Sequence, residues 1–295
     1  MRVFFSHDYA ANSHAIDATQ KPLWVADSLQ AQPIASVRLV SPTPVDAEQL
    51  ALVHDPAYVQ AVRTGRPREL AESSTFPWNP GTWISEVASC GGMITACEAA
   101  RSDGVSGSLS VGFHHARRGG GRSHCIFNGL ALAIRAIRKN GVERVLCIDL
   151  DAHCGGGTFS LVGGLDGYHQ LDVSLFPTDS YRPTGESTLD IVESRDEYLG
   201  IISDRLNGLS DRLADFQLCV YYAGMDTHEG SAFGGLPGID ATMLARRDEV
   251  VFSTLRKHGV PVVFGLGGGY LGPGLDRESL VALHRATIEI GARYL

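Results

Sequence analysis

Asp149, Asp151 and His153 stand at every second position at the end of the apolar run Val145-Leu146-Cys147-Ile148. The run reads as a strand buried in a parallel sheet. An extended chain repeats its side-chain direction every two residues, so the three ionisable groups start on one face. Two carboxylates and an imidazole at the end of a buried strand need compensation, because unpaired charge in an apolar setting is costly. A divalent cation is the simplest one, and zinc accepts both imidazole nitrogen and carboxylate oxygen. Asp226 follows another apolar run, in Tyr222-Ala223-Gly224-Met225-Asp226. Asp151, His153 and Asp226 then supply three N/O ligands and leave one coordination position open, the arrangement of a catalytic zinc rather than a structural one. A solvated turn would explain an isolated Asp-x-His, so the remaining reactive residues decide.

A metal so placed polarises a carbonyl and lowers the pKa of its bound water. Amide hydrolysis also needs a proton acceptor and a donor to the leaving amine, and the pair His114-His115 can supply both. Asp149 is the natural partner for one of these imidazoles, fixing its tautomer and orientation. Tyr270 follows Gly267-Gly268-Gly269, where the chain can approach a site closely. Its hydroxyl is the candidate donor to the oxyanion. Taken singly, a His-His pair, a glycine run and a Gly-Met-Asp sequence have ordinary explanations as unrelated imidazoles, a turn and a helix cap.

The elements that must position these groups alternate along the chain. Strands are predicted at Val3–Phe5, Ala35–Val40, Ser108–Phe113, Val145–Leu150, Leu171–Leu175, Leu218–Ala223 and Pro261–Leu266. Helical spacing marks 46–62, interrupted near Asp55-Pro56, and also 85–101, 240–258 and 279–294. A further helix is capped by Asn128 and ended by Gly141. Such alternation gives a mostly parallel sheet covered on both faces, with ligands collected at the carboxyl ends of its strands. The reactive groups obey that rule: each follows a predicted strand. No linker, repeat or composition break divides the chain, so a single domain over 1–295 is expected.

The chain has 295 residues, 44% of them apolar and 20% charged, which fits an ordinary globular protein with a sizeable core. A formal net charge of −8 argues against binding to nucleic acid or to an anionic membrane. The six cysteines form no C-x-x-C pair, so neither a zinc knuckle nor a disulfide framework is indicated. Reduced thiols, no signal-peptide pattern at Met1–Asp8 and no bilayer-length apolar stretch lead us to expect a cytoplasmic protein. The sequence leaves a homo-oligomer open.

Phe113-His114-His115-Ala116, Cys125-x-Phe127-Asn128, Asp149-Leu-Asp151-Ala-His153, Ala223-Gly224-Met225-Asp226-Thr227-His228 and Gly267-Gly268-Gly269-Tyr270 stand in this order. The ordered set resembles the histone deacetylases and their superfamily, which includes bacterial acetylpolyamine amidohydrolases and acetoin-utilisation proteins. His54-Asp55-Pro56-x-Tyr58-Val59 and Gly234-Gly235-Leu236 are further landmarks of that resemblance, which spans nearly the whole chain. It implies a three-layer αβα sandwich of the arginase/deacetylase type around an eight-stranded parallel sheet. It also implies Zn²⁺ on Asp151, His153 and Asp226, with Fe²⁺ or Co²⁺ not distinguished. His114 and His115 would be the acid/base pair, with Asp149 behind His114, and Tyr270 would stabilise the oxyanion. A structural K⁺ is implied near Asp149, the Ser174 hydroxyl and the backbone carbonyls of Asp151, His153 and Leu175. Tyr181 matches an aromatic wall of the acyl-lysine tunnel, and His124 and Gly268 are further substrate contacts.

The chain departs from the family at informative points. Where relatives read Asp-x-His-His-Gly-Asp-Gly, it has Asp151-Ala152-His153-Cys154-Gly155-Gly156-Gly157. The second Asp normally backs the second histidine, and Gly156 has no side chain to do so. His115 is therefore expected either to be less basic than in relatives or to recruit a carboxylate that the sequence does not identify. Cys154 replaces a histidine and is expected as a small buried packing residue, with a redox-sensitive thiol near the metal as the alternative. His124 replaces a tunnel aromatic and makes the tunnel more polar. The Thr75-Phe76-Pro77 region lacks the Asp with which peptide-processing relatives hold substrate backbone, which favours a small acylated amine over a histone tail. Arg117, Arg118 and Arg122 read as a solvated basic loop.

The resulting expectation is a zinc-dependent deacylase that releases a short carboxylic acid from acetyl-lysine, an acetylpolyamine or a similar small amide. The alternative is a metal-binding acyl-amine binder with little catalysis, because of Gly156. A ureohydrolase on the same fold would need bridging carboxylates where Gly155 and His228 stand, so its two-metal centre lacks ligands.

Overall fold

The computed structural model describes residues 1–12 and 19–295. Its strands are β1 (Arg2–Phe4), β2 (Arg38–Val40), β3 (Val105–Ser108), β4 (Val145–Asp149), β5 (Tyr168–Ser174), β6 (Thr188–Ile191), β7 (Leu218–Gly224) and β8 (Val262–Gly267). They form one eight-stranded sheet in the order β2-β1-β3-β8-β7-β4-β5-β6. Every pairing in it is parallel. The helices are α1 (Lys21–Ala31), α2 (Ala47–Leu50), α3 (Pro56–Thr64), α4 (Arg68–Ala71) and α5 (Pro80–Asp103). They continue as α6 (Gly129–Lys139), α7 (Gly156–Val162), α8 (Arg195–Gly208), α9 (Ala241–Lys257) and α10 (Arg277–Gly291).

The central strands are buried on both faces, and their alternate residues enter two different cores. Leu146 and Ile148 of β4, with Cys219 and Tyr221 of β7, pack against residues of α1, α8, α9 and α10. Val145 and Cys147, with Val220 and Tyr222, pack against α3, α5 and α6. Period-two burial on both sides is what a parallel sheet sandwiched by helices requires. The three-layer architecture follows directly from those apolar runs.

Local chemistry sets several boundaries. Asp55 and Pro56 split the helical stretch predicted at 46–62, with the Asp55 carboxylate accepting from the N–H of Ala57 at 2.8 Å. Asn128 caps α6 by accepting from the N–H of Ala131 at 2.9 Å. Gly141, beyond the end of α6, has φ +86°, a left-handed conformation that glycine adopts without a Cβ penalty.

Several sequence expectations need correction: β2 starts at Arg38 rather than Ala35, and helices α1 and α8 were not foreseen. The strand predicted at Ser108–Phe113 runs earlier, over Val105–Ser108. The apolar residues Leu109 and Phe113 are buried in the loop beyond it, one in each of the two cores, so their apolar character reflects core packing rather than a ladder. Edge strand β6 gave no signal, being only four residues long and half-buried. An edge strand of that kind lacks the continuous apolar run that marks the central strands.

Candidate active site

The carboxyl ends of β4, β7 and β8 converge on one point. Just beyond β4, Asp151 and His153 meet Asp226, which lies two residues past β7, and one ligand atom from each lies within 4.8 Å of the others. His153 Nδ1 is 3.2 Å from Asp151 Oδ1 and 3.2 Å from Asp226 Oδ2. Ligands about 2.0–2.1 Å from a tetrahedral centre stand about 3.3 Å apart, so these separations fit a single zinc ion. The electrostatics agree with a cation there. Burial works against a charged His153, yet the two carboxylates overcome it and raise its pKa to about 11. Burial pushes Asp226 up, and repulsion from Asp151 adds to that.

The loop after β8 closes the site from one side. Gly268 has φ +34°, and a Cβ on it would fall 2.2 Å from Asp226 Cγ. The loop can therefore lie against the carboxylate only because residue 268 is glycine. Tyr270 follows and lines the same cleft as His114, His115 and Asp151. Burial, reinforced by Asp226 and Asp151, holds its phenol well above the usual range, so it stays a hydrogen-bond donor at neutral pH. The exposed ring of Phe233 packs edge-on against it at 5.3 Å.

Both histidines of the pair are buried, with ring centroids 3.9 Å apart. His114 Nδ1 is 3.0 Å from Asp149 Oδ2, and its Nε2 faces Asp151 Oδ1 at 3.6 Å. Asp149 is thus the partner of His114. His115 Nδ1 is 3.1 Å from Asp179 Oδ2, a carboxylate on the loop after β5. That residue was not among the sequence candidates, and it is the recruited carboxylate that Gly156 left unidentified. His115 is also less basic than an ordinary histidine. Burial chiefly, and then His114, lower its pKa to about 4. Arg117 and Arg122 are not simply a solvated loop: Arg117 Nη2 donates to Asp179 Oδ1, and Arg122 Nε lies 3.5 Å from the same oxygen.

The three glycines after Cys154 each face a different member of the site. Added Cβ atoms on Gly155, Gly156 and Gly157 would fall 2.3 Å from Asp149 Oδ2, 2.0 Å from the Asp179 carbonyl oxygen and 2.4 Å from the His114 carbonyl oxygen. Cys154 is buried, with its thiol directed at the Phe176 carbonyl at 3.3 Å.

Other candidates fall into place or out of it. His124 lines the cleft, and its ring sits 5.0 Å from that of Phe76. Tyr181 is not among the cleft-lining residues. Its ring stacks on Phe159 of α7 at 4.3 Å, and Phe176 instead lies beside His153, at 6.0 Å and nearly parallel. Ser174 donates to Asp172 Oδ1 at 2.5 Å. Asp172 stands directly opposite Asp149 in the register of β4 and β5. Burial, then repulsion from Asp149, pushes its carboxyl up to about 8. The alternation Gln170, Asp172, Ser174 carried the same period-two signal as Asp149, Asp151 and His153 and could have flagged Asp172. Lys21 of α1, fully buried, donates to the carbonyls of Gly267 and Gly268. No sequence pattern announced it.

A larger hollow of about 270 Å³ lies at the amino ends of β4 to β6, lined by His169, Glu186, Arg205 and Arg212 among others. It is at the wrong end of the sheet for this chemistry, and the Asp151 cluster is remote from it.

A family model described as a histone deacetylase domain matches residues 16–285. The chain belongs to the histone deacetylase domain family. An uncharacterised protein of Picosynechococcus sp. is 34% identical over 253 residues, covering 83% of each chain. Histone deacetylase 2 of Arabidopsis thaliana is 28% identical over 250 residues, covering 79% of this chain and 63% of its own length. An acetylpolyamine aminohydrolase structure from Burkholderia pseudomallei superposes with a TM-score of 0.81 at 17% identity, covering 99% of this chain and 98% of that one. The last likeness fixes the arginase/deacetylase fold. Deacetylases are hydrolases acting on amides, and membership of this family places the chain in that enzyme class. Among the described residues, no helix is long and apolar enough to cross a membrane.

Proposed function

We propose that this deacetylase-family chain is a zinc-dependent deacylase, a single catalytic domain that cleaves the amide of a small acylated amine or acyl-lysine. One observation carries the reading. Asp151, which with His153 and Asp226 forms one cluster of ligand atoms, lines a single cleft with His114, His115 and the Tyr270 phenol, and each histidine is backed by a carboxylate. Zinc held by that cluster would polarise the substrate carbonyl and acidify a water molecule. The remaining chemistry belongs to the chain's own groups. His114 and His115 take the proton from water and return one to the leaving amine. Tyr270 donates to the carbonyl oxygen as it gains negative charge. A potassium ion on Asp149, the Ser174 hydroxyl and the Leu175 carbonyl is part of the proposal, and would offset the facing carboxyls of Asp149 and Asp172.

The cleft is narrow, with a volume of about 60 Å³, which suits a short acyl group. HDAC10 of Homo sapiens, named a polyamine deacetylase, is 31% identical over 121 residues. That supports a small acylated amine as the substrate class. The reading of a non-catalytic binder rested on Gly156, and the Asp179 carboxylate 3.1 Å from His115 Nδ1 favours the hydrolase over it. A cytoplasmic location is part of the proposal and is supported by the unpaired cysteines.

The test is turnover. Zinc-loaded protein is presented with an acetyl-lysine reporter, acetylated polyamines and longer acyl-lysines. Release of free amine is expected, and Tyr270→Phe should lower kcat about 10²- to 10³-fold, the usual cost of one oxyanion donor. A zinc-loaded protein that binds these amides and cleaves none of them would leave the binder reading standing.

A further inference from the structure

Asp179 reaches His115 from 64 positions along the chain. Only 7% of it is exposed, and its backbone is left-handed at φ +61°. A non-glycine residue keeps such a conformation when its surroundings over-determine it, and here four groups converge on one carboxylate. Oδ2 accepts from the Gly157 N–H at 2.9 Å and faces His115 Nδ1 at 3.1 Å. Oδ1 accepts from Arg117 and lies 3.5 Å from Arg122 Nε.

A plain ion pair anchoring the loop would satisfy Asp179 through the arginines alone. It would not need the second oxygen turned inward onto an imidazole. The space beneath the loop points the same way. A Cβ at Gly156 would fall 2.0 Å from the Asp179 carbonyl oxygen and 3.1 Å from Asp179 Cγ. A side chain at 156 and the Asp179 loop therefore cannot share that space. The missing carboxylate at 156 and the one supplied at 179 are a single structural fact.

We propose that Asp179 is the positioning residue for His115, and that Arg117 holds Asp179 in that role. This deepens the deacylase reading and rests on it for its kinetic consequences. The two imidazoles then differ in their support. Asp149 backs His114 with no arginine paired to it among the described residues, whereas Asp179 shares its charge with a guanidinium that is 39% exposed at the edge of the site. The second pair is thus wired to the surface through Arg117.

The experiment uses the full-length zinc-loaded protein. Asp179→Ala should lower kcat on the order of 10²-fold, the scale of acid–base assistance, with KM changed less than about threefold. Arg117→Ala should lower kcat about tenfold. Arg117→Lys should fall between Arg117→Ala and wild type, because lysine keeps the charge and loses the planar fork. The double variant should be no slower than Asp179→Ala, as for two groups acting through one contact.

A second readout does not depend on turnover. In protein labelled with ¹⁵N-histidine, the His115 Nδ1–H should give a hydrogen-bonded, downfield proton resonance, assigned by its absence in His115→Gln. That resonance should vanish in Asp179→Ala and survive in Arg117→Lys. Folded Asp179→Ala with wild-type kcat overturns the proposal, as does lost activity with the Nδ1–H resonance intact. If Asp179→Ala does not fold, Arg117→Ala decides by the same two measurements, unchanged kcat and resonance counting against us. If no acylated amine is cleaved even by wild type, the deacylase reading fails while the resonance still judges Asp179.

Discussion

Gly268 passes so close to Asp226 that a Cβ on it would fall 2.2 Å from the carboxylate carbon. The glycine loop after β8 is thus a wall of the metal-ligand cluster as well as the stem that carries Tyr270. Gly268→Ala must push Asp226 or the loop aside, at a backbone φ of +34° that alanine resists. Displacing a group that packs directly on a metal ligand costs about 10- to 100-fold in affinity. We predict that loss for Zn²⁺ in Gly268→Ala, read by competition with a chelating dye. Wild-type affinity in the variant would mean that Asp226 is not held by this loop.

Glu86 of α5 lines the cleft with its carboxyl buried, and burial pushes its pKa up to about 8, partly offset by the N–H of Phe127 at 3.2 Å. The folded protein keeps a proton on Glu86 that the unfolded chain gives up near its ordinary value of 4.5. The folded state therefore binds more protons, and stability falls as pH rises from about 4.5 to about 8. The limiting slope from this one group is about 1.4 kcal/mol per pH unit. Glu86→Gln keeps the shape and the acceptor for Phe127 and removes the titration. Thermal melts at pH 5.5 and pH 8 should show the variant gaining on wild type at the higher pH. Equal offsets at both pH values would place the Glu86 proton elsewhere.

The three proposed metal ligands were legible because they obey local rules. Asp151 and His153 continue the period of a strand, and Asp226 follows a second apolar run by two residues. Strand ends in a parallel sheet gather ligands, so their placement after strands, together with the ordered family motifs, brought the three together. Asp179 and Lys21 obey no such rule. Each reaches the site across many intervening residues, from a loop and from a helix start, and nothing in their neighbours records what they will touch. Tyr181 shows the converse. Its place ahead of Pro183 suited a tunnel wall, but its ring stacks on Phe159 of α7. The shift of β3 has a similar origin, because Leu109 and Phe113 are apolar for burial in the cores and not for strand pairing.

Asp151 and Asp226 are fully or almost fully buried, and His153 lies between them. Removing a bound cation leaves two buried carboxylates with only the single charge of His153 between them, so the apoprotein should be less stable. Binding to the folded state alone contributes roughly 4 kcal/mol at a thousandfold excess over Kd. Treatment with a chelator should lower the melting temperature by several degrees, and stoichiometric zinc should restore it. In Asp226→Asn, zinc should restore little or nothing. A melting temperature indifferent to chelator and zinc would remove the metal from the site.

Gly156→Ala is the smallest change that sets the two loops against each other. Its Cβ would overlap the Asp179 carbonyl oxygen, which belongs to the backbone and cannot rotate away. The loop after β5 must therefore shift, taking the Asp179 carboxylate from His115, while Asp151, His153 and Asp226 on other segments keep their places. We expect zinc content near wild type, a melting temperature lower by a few degrees, and kcat reduced to the level of Asp179→Ala. Combining Gly156→Ala with Asp179→Ala should add no further loss in kcat, because both remove the same contact. Full activity in Gly156→Ala would show that the space beneath Asp179 is slack, and that glycine at 156 is not what seats this carboxylate.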